Sequence, residues 1–206
     1  MSKVFLFSDL HCSEKNLKNF YDFILKRKDI KALIFAGDVV NMGEPEWFMD
    51  DFIKVIKELK LPFLWTPGNN DFGVVYNKLD SRYKSLESKV VECCSRRFTG
   101  VGGSPASWAG QYAGGKMINK KEIAGSIFIS HYPPPGILNY QKKDIDSPTS
   151  SKNFSDAPIA HICGHLHNIW GTAHLGQTKV IKLASLETNH YAIMDLKNLS
   201  VEFGEF

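Results

Sequence analysis

Two histidines one residue apart are the first feature of this sequence that could do chemistry. His165 and His167 follow Gly164 and the apolar run at 159–163. If the backbone stays extended there, both imidazoles project to one side, because strand side chains alternate with period two. Neutral imidazole is a common metal ligand, so the pair predicts a metal site. Two exposed loop histidines are the alternative interpretation.

Other side chains able to bind metal stand where further apolar runs end. Each also has an ordinary structural interpretation: an aspartate caps a helix, an asparagine opens a turn, and a histidine fills a half-buried position. Five separate apolar runs are each followed by such residues, and this favours one shared site. The residues are Asp9, His11, Asp38, Asn69, His131, His165 and His167.

The elements that must position these residues alternate along the first third of the chain. The continuous apolar runs at 4–7, 32–36 and 61–66 are typical of strands covered on both faces. Residues 13–26 carry apolar side chains at helical spacing, and a second helix begins near Pro45. This alternation predicts a parallel sheet with right-handed crossovers. The carboxyl ends of its strands share the edge where ligands bind in such folds.

Strands outnumber helices in the rest of the chain. A short helix is predicted over 74–83, and no internal repeat or domain boundary is visible, so we expect one domain spanning 1–206. Further strands are predicted at 90–93, 97–101, 126–130, 179–184, 190–196 and 199–203, the last two joined as a hairpin.

A polar stretch at 136–158 interrupts this pattern. It is either a surface insertion or a lid over the site, since long loops in compact domains are often functional. The prolines at 133–135 forbid both helix and ladder pairing, so they place His131 on a stiff loop at a strand end.

The composition argues against several classes of partner. Of the 206 residues, 43% are hydrophobic and 23% charged, as in ordinary globular proteins. The net charge of +3 is too small to predict a nucleic-acid or anionic-membrane partner. No apolar run approaches the roughly 18 residues that span a bilayer, and the N-terminal run reaches Asp9 too soon for a secretory signal. We therefore expect a cytoplasmic protein.

The four cysteines are expected to be reduced in that compartment. Cys93 and Cys94 are adjacent, and in a strand they would point to opposite faces, which argues against a disulfide between them. Cys12 and Cys163 stand beside candidate ligands and are interpreted as small buried residues.

Taken in order, the strand-end motifs resemble the signature of the calcineurin-like metallophosphoesterase superfamily. The resemblance implies an α/β fold, a four-layer α/β/β/α sandwich with the metal site at the carboxyl ends of the strands. It is specific for a two-metal centre but not for a substrate, because the superfamily includes phosphatases, phosphodiesterases, nucleases and nucleotide hydrolases. The motifs are Asp9-Leu10-His11, Gly37-Asp38, Gly68-Asn69-Asn70-Asp71, His131 and Gly164-His165-Leu166-His167.

The resemblance also implies how the ligands divide between two divalent ions, with the Asp38 carboxylate bridging them. Ions about 3.5–4 Å apart would share a hydroxide that attacks phosphorus in line. Mixed imidazole, carboxylate and amide ligands suit Mn, Fe, Zn or Co. One ion would be held by Asp9, His11, Asp38 and His167, and the other by Asp38, Asn69, His131 and His165.

One position departs from the family pattern. Many members carry a histidine where this chain has Asn70, and that histidine is thought to protonate the leaving group. Asparagine cannot donate a proton at neutral pH, which predicts good leaving groups or another donor such as His190 or Tyr132. Alternatively, Asn70 binds a phosphoryl oxygen of a diester. Asp71, which would orient that histidine, is interpreted here as the cap of the next helix.

The sequence therefore predicts a metal-dependent phosphoesterase for a small phosphate ester, more readily a diester, with Asn70 and Asp38 as catalytic residues. The alternatives are a phosphomonoesterase or nuclease on the same centre, and a non-catalytic protein-assembly scaffold. A closed zinc site built on Cys163 and the histidine pair would leave the other candidate ligands unexplained. Asn41 is either a substrate contact or a turn residue. The remaining histidines, His161 and His174, are assigned to the fold or the surface.

Overall fold

A computed structural model of the protein describes residues 2–43, 46–71, 83–87, 89–103, 120–134, 137–138 and 157–206. Two predictions fall mainly outside these residues. One is the helix over 74–83, of which only Tyr83 is described, and that residue begins a strand. The other is the polar stretch at 136–158, predicted as a lid or an insertion.

Most predicted elements form within two residues of their expected bounds. The two strands that the pattern missed, 83–85 and 171–175, are short and partly exposed, so they lack a continuous apolar run. None of the described helices is long and apolar enough to cross a membrane. The elements are β1 Lys3–Phe7, α1 Glu14–Lys26, β2 Ile30–Phe35, α2 Glu46–Leu59, β3 Phe63–Trp65, β4 Tyr83–Ser85, β5 Val91–Cys93, β6 Arg96–Val101, α3 Lys120–Ile123, β7 Ile127–Ser130, β8 Ala160–Cys163, β9 Gly171–Leu175, β10 Thr178–Lys182, a 3₁₀ turn Leu186–Thr188, β11 His190–Asp195 and β12 Val201–Glu205.

The strands form two six-stranded sheets. The first has the order β12-β11-β1-β2-β3-β4. Its strands β1 to β4 pair in parallel, as the strand–helix alternation predicts, and the predicted hairpin of β11 and β12 joins β1 in antiparallel pairing. The second sheet has the order β5-β6-β7-β8-β10-β9, with β6, β7, β8 and β10 parallel.

Strand β1 lies between two hydrophobic cores, which explains why its residues are continuously apolar. Phe5 and Phe7 face α1, where their rings lie 5.4 and 4.8 Å from that of Phe20. Val4 and Leu6 point the other way, into a core between the two sheets. Burying each such side chain contributes about 1.5–3 kcal/mol. The predicted α/β sandwich is thus confirmed, with α1 and α2 covering the outer face of the first sheet.

The turn between β5 and β6 changes the reason given for the absence of a disulfide between the adjacent cysteines. Cys93 ends β5, but Cys94 has φ of 50° and Ser95 has φ of 62°. Because Cys94 belongs to the tight turn and not to the strand, its thiol does not point to the opposite face. The two sulfur atoms lie 3.7 Å apart as free thiols.

Candidate metal centre

The carboxyl ends of strands from both sheets meet at one place. The end of β1 is tied to the end of β2 by the Asp9 amide, which donates to the Gly37 carbonyl at 2.8 Å. In the second sheet, the Gly164 amide donates to the His131 carbonyl at 2.9 Å and joins the ends of β8 and β7. The first sheet delivers both carboxylates to the centre, and the second delivers three histidines.

Four candidate ligands have a left-handed backbone. The φ values are 56° for Asp9, 47° for His11, 64° for Asp38 and 77° for His165. Residues other than glycine are uncommon in this region, and each costs about 1–3 kcal/mol, a strain that clusters at functional sites. At His165 the left-handed turn also corrects a prediction. The backbone does not stay extended through the histidine pair, so His165 and His167 face different partners.

The first group of candidate ligands gathers around Asp9. Its Oδ1 lies 3.4 Å from Nε2 of His167 and 3.7 Å from Nε2 of His11. The Nδ1 of His11 donates to Oδ1 of Asn41 at 2.9 Å, which leaves its Nε2 facing the carboxylate. Asn41 is therefore a partner of the candidate ligand His11, a role that the sequence did not reveal.

The second group gathers around Asp38. Its Oδ2 lies 3.1 Å from Nε2 of His131, whose Nδ1 donates to the Ala36 carbonyl at 2.8 Å. His165 joins this group through its Nδ1, which lies 3.3 Å from Nε2 of His131. Its other side is covered by Tyr132, whose ring stacks on it with 3.8 Å between centroids.

The two carboxylates are buried and ionised. Burial acts to raise the pKa of Asp9, but hydrogen bonds to His11 and His167 and the charge of His131 hold that pKa well below its usual range. Burial acts to lower the pKa of His131, but the Asp38 hydrogen bond and the charge of both carboxylates raise it to about 9. A proton on His131 thus provides positive charge beside the two carboxylates, where a metal ion would otherwise provide it.

One buried amide oxygen is particularly well suited to act as a metal ligand. Oδ1 of Asn69 is buried and has no hydrogen-bond partner within the part of the chain that the structure describes. Leaving such a group unsatisfied costs about 1–3 kcal/mol, and a bound cation would remove that penalty. The chemistry of the neighbouring donors also fits a cation, because two sets of carboxylate and imidazole atoms each lie within 4.8 Å of one another. These are Asp9, His11 and His167, and Asp9, Asp38 and His131.

The residues after Asn69 fix the loop that carries Asp38. Asn70 donates to both carboxylate oxygens of Asp38, from its amide N–H at 2.8 Å and its Nδ2 at 2.7 Å. Asp71 accepts the backbone N–H groups of Asp38, Val39 and Gly68, each at 2.8 Å. Its role is thus larger than the predicted helix cap, and the helix it would cap lies outside the described residues.

Two glycines allow the loops to approach the carboxylates. A Cβ on Gly68 would lie 1.9 Å from Oδ1 of Asp38, and one on Gly164 would lie 2.6 Å from Oδ2 of Asp9. Either contact is far inside van der Waals distance, so these positions require glycine. The glycines before both motifs were visible in the sequence, but their purpose depends on distances that a motif does not contain.

A buried lysine lies behind the histidine pair. Lys182 on β10 is fully buried, and its ammonium donates to the carbonyls of Leu166 at 3.0 Å and Leu183 at 2.8 Å. Burial lowers its pKa. Leu166 is the residue between His165 and His167, so Lys182 holds the backbone that presents both imidazoles. A lysine directly after Val180 and Ile181, at the end of a strand, was the available signal.

Several candidates take no part in the centre. His161 is buried on β8 beside Ser130, and His174 is exposed on β9, in line with their assignment to the fold and the surface. His190 has both ring nitrogens engaged, 3.0 Å from Thr188 Oγ1 and 3.0 Å from Glu205 Oε1, so it is poorly placed to protonate a leaving group.

The closed zinc site does not form around Cys163. The thiol of Cys163 donates to the Ile181 carbonyl, with 3.8 Å between sulfur and oxygen, and burial raises the pKa of this thiol to about 12. Among the described residues, neither group of side-chain atoms close enough to share a metal ion includes this thiol.

Comparison with known proteins gives a consistent result. A family model described as calcineurin-like phosphoesterase matches residues 2–169. A solved structure from Thermus thermophilus has a TM-score of 0.73 at 15% identity and covers 98% of each chain. A dimetal phosphatase from Danio rerio has a TM-score of 0.56 at 11% identity, covering 93% of this chain and 94% of its own. A phosphopantetheinyl hydrolase from Mycobacterium tuberculosis has a TM-score of 0.51 at 13% identity, covering 90% of each chain. No curated protein sequence matches the chain.

Proposed function

The chain belongs to the calcineurin-like phosphoesterase family and is a phosphoester hydrolase, and we propose that it hydrolyses phosphodiesters at a centre of two divalent metal ions. The observation that carries this proposal is the convergence of two buried carboxylates with imidazoles from both sheets. One ion is held by Asp9, His11, Asp38 and His167, and the other by Asp38, Asn69, His131 and His165.

The surroundings of the two carboxylates support Asp38 as the bridging ligand. Oδ2 of Asp38 lies 3.1 Å from Nε2 of His131 and 3.8 Å from Nε2 of His11, so one oxygen reaches toward both groups. Asn70 donates to both oxygens of Asp38, at 2.8 and 2.7 Å, and both oxygens of Asp9 accept the His165 backbone N–H, at 3.2 and 3.0 Å. That bond ties Asp9 to the histidine loop.

Two divalent ions bound by these residues would supply Lewis acidity and lower the pKa of bound water toward neutral pH. The protein orients the ligands for this chemistry through Asn41 and the Ala36 carbonyl, which hold the Nδ1 protons of His11 and His131. Asp9 and Asp38 offset two of the four positive charges, so the site still attracts a phosphate anion. The donor set suits Mn, Fe, Zn or Co.

The side chain of Asn70 supports a diester substrate. Its Nδ2 lies 2.7 Å from Oδ2 of Asp38, so an uncharged amide donor stands beside the proposed bridge. An amide binds a phosphoryl oxygen but supplies no proton to a leaving group. Diesters carry a single negative charge and suit such a donor.

The experiment compares turnover of bis-p-nitrophenyl phosphate with that of p-nitrophenyl phosphate, after the protein is loaded with Mn²⁺ and its metal content is measured. We expect metal-dependent turnover with the higher kcat/KM on the diester. Asp38→Asn should abolish it, whereas His174→Ala, on the exposed face of β9, should leave it unchanged. A higher kcat/KM on the monoester would overturn the diester preference. Two bound ions with no turnover of any phosphate ester would favour the scaffold.

A further inference from the structure

The centre is open on the side of His167. The side chain of His167 is 32% exposed, whereas that of His11 is 8% exposed and that of His131 is fully buried. A substrate can therefore reach His167 from solvent, and the residues around this histidine lie close to the parts of such a substrate that extend beyond the phosphorus.

An exposed indole stands on this side. Trp170 follows His167 by three residues and is 45% exposed, an unusual state for so large an apolar side chain. Its ring lies 5.0 Å from that of His190, at an angle of 47°. His190 is fixed in turn by Thr188 and Glu205, each 3.0 Å from one of its ring nitrogens. Trp170 thus rests on a supported surface while its outer face stays free for a ligand.

The 3₁₀ turn links this aromatic surface to the centre. The turn begins just after β10, and its Glu187 places Oε2 3.9 Å from Nδ1 of His167. The same turn ends next to His190, against which Trp170 packs. The carboxylate of Glu187 adds negative charge beside the opening, which disfavours a second anionic group on this side. The surface therefore offers an apolar ring face beside a carboxylate.

We propose that Trp170, supported by His190, is the subsite for an aromatic ring of the phosphate ester, either an aryl group or a nucleobase. The inference rests on the proposed function and names the substrate class of the same centre. Every base and aryl ring has a π-face, and stacking on an aromatic side chain contributes about 1–3 kcal/mol. His190 is a support for the indole and has no proton-transfer role.

The test measures binding and needs no turnover. Phenylphosphonate and methylphosphonate are titrated calorimetrically into the Mn²⁺-loaded protein, and the ratio of their Kd values reports recognition of the ring. We expect Trp170→Ala to weaken phenylphosphonate about 5- to 150-fold, the range that corresponds to stacking energies of about 1–3 kcal/mol, with methylphosphonate unchanged. Trp170→Phe should restore most of the difference between the Kd values of phenylphosphonate and methylphosphonate. Trp47→Ala, which removes the 49% exposed tryptophan of α2, is the matched control.

A second pair of ligands distinguishes a subsite for a nucleobase from one for an aryl group. Adenosine 5′-monophosphate against ribose 5-phosphate tests a nucleobase, as phenylphosphonate against methylphosphonate tests an aryl group. Selectivity in either pair that disappears in Trp170→Ala supports the subsite. If the wild-type protein binds both members of each pair equally, or if Trp170→Ala weakens both members equally, the subsite is wrong. The proposed function fails on different evidence, namely absent turnover by a protein that holds its metal.

Discussion

The Nε2 atoms of His11 and His167 lie 3.1 Å apart, although 156 positions separate the two residues in the chain. Two imidazole lone pairs at this distance repel each other unless a proton or a cation lies between them. Because Nδ1 of His11 donates to Asn41, the Nε2 of His11 is the atom available to bind the proton or cation. The pair joins the end of β1 in one sheet to the segment after β8 in the other.

The two histidines of the C-terminal motif should serve different ions. His167→Ala is expected to remove the ion shared with His11, and His165→Ala the ion shared with His131, so each variant retains about one ion per chain. Metal analysis after dialysis and calorimetric titration with Mn²⁺ provide the measurement, with His174→Ala as control. If both substitutions empty the same single site, the two-ion assignment is wrong.

Replacing Asn41 should weaken metal binding without touching a ligand. Asn41→Leu keeps the side-chain size but removes the acceptor for Nδ1 of His11, and loss of such a partner typically costs about 10–100-fold in metal affinity. Asn41→Asp, which keeps the acceptor, should bind metal close to the wild-type level. Equal affinity in Asn41→Leu and the wild-type protein would contradict the role given to this residue.

The lysine behind the histidine loop should matter for both stability and metal binding. Lys182→Met keeps an unbranched chain but removes the ammonium donor from both carbonyls. The Leu166 carbonyl still accepts the Ile169 N–H at 3.3 Å, whereas the buried Leu183 carbonyl loses its lysine donor, at about 1–3 kcal/mol. We expect a lower free energy of unfolding in urea and weaker binding of Mn²⁺. Lys179→Met is the control, since Lys179 also donates to a backbone carbonyl, that of Leu199 at 2.7 Å, but outside the centre. Unchanged Mn²⁺ affinity in Lys182→Met would show that the loop does not depend on it.

Asn70 should make the reaction sensitive to the leaving group. Without a general acid at this position, the rate is expected to fall steeply across aryl phosphate esters as the pKa of the departing phenol rises. Asn70→His should accelerate the poorest substrates, by up to about 10²–10⁴-fold if its imidazole acts as the acid. A flat profile for the wild-type enzyme would mean that another group donates the proton.

His161 should make the fold sensitive to acid. Burial lowers its pKa to about 3, and Ser130 Oγ lies 2.6 Å from its Nε2. Since an unfolded histidine titrates near 6.5, the unfolded chain takes up a proton that the folded chain refuses, and stability falls as the pH drops from about 6.5 toward 3. We expect a loss of about 2 kcal/mol between pH 8 and pH 5 from this residue.

Urea unfolding at the two pH values measures this loss, and His161→Gln should reduce it. The exposed His174→Gln controls for removal of a histidine. An identical change with pH in wild-type protein and His161→Gln would assign the acid sensitivity to other groups.

The sequence predicted the parts of this molecule that depend on local pattern. The apolar run of β1 identified a strand that is buried on both faces. The polar residues directly after this run identified the end of the strand that carries the candidate ligands. The partners of those residues depend on packing between distant segments. Asp71 reaches the loop after β2, and Lys182 reaches Leu166, through contacts that no spacing rule specifies. The left-handed His165 escaped prediction for a related reason, since a strand pattern does not show where the backbone takes a positive φ.

The long separation between His11 and His167 also sets an order of events during biosynthesis. At about 5–20 residues per second, the ribosome adds His167 roughly 8–30 s after His11. Asp9 and Asp38 are both synthesised before the first strand of the second sheet, which begins at Val91. The full donor set therefore comes into existence only after residue 167 has emerged and the two sheets have docked. Loading of both proposed ions then requires a chain that extends through His167 and whose two sheets have docked.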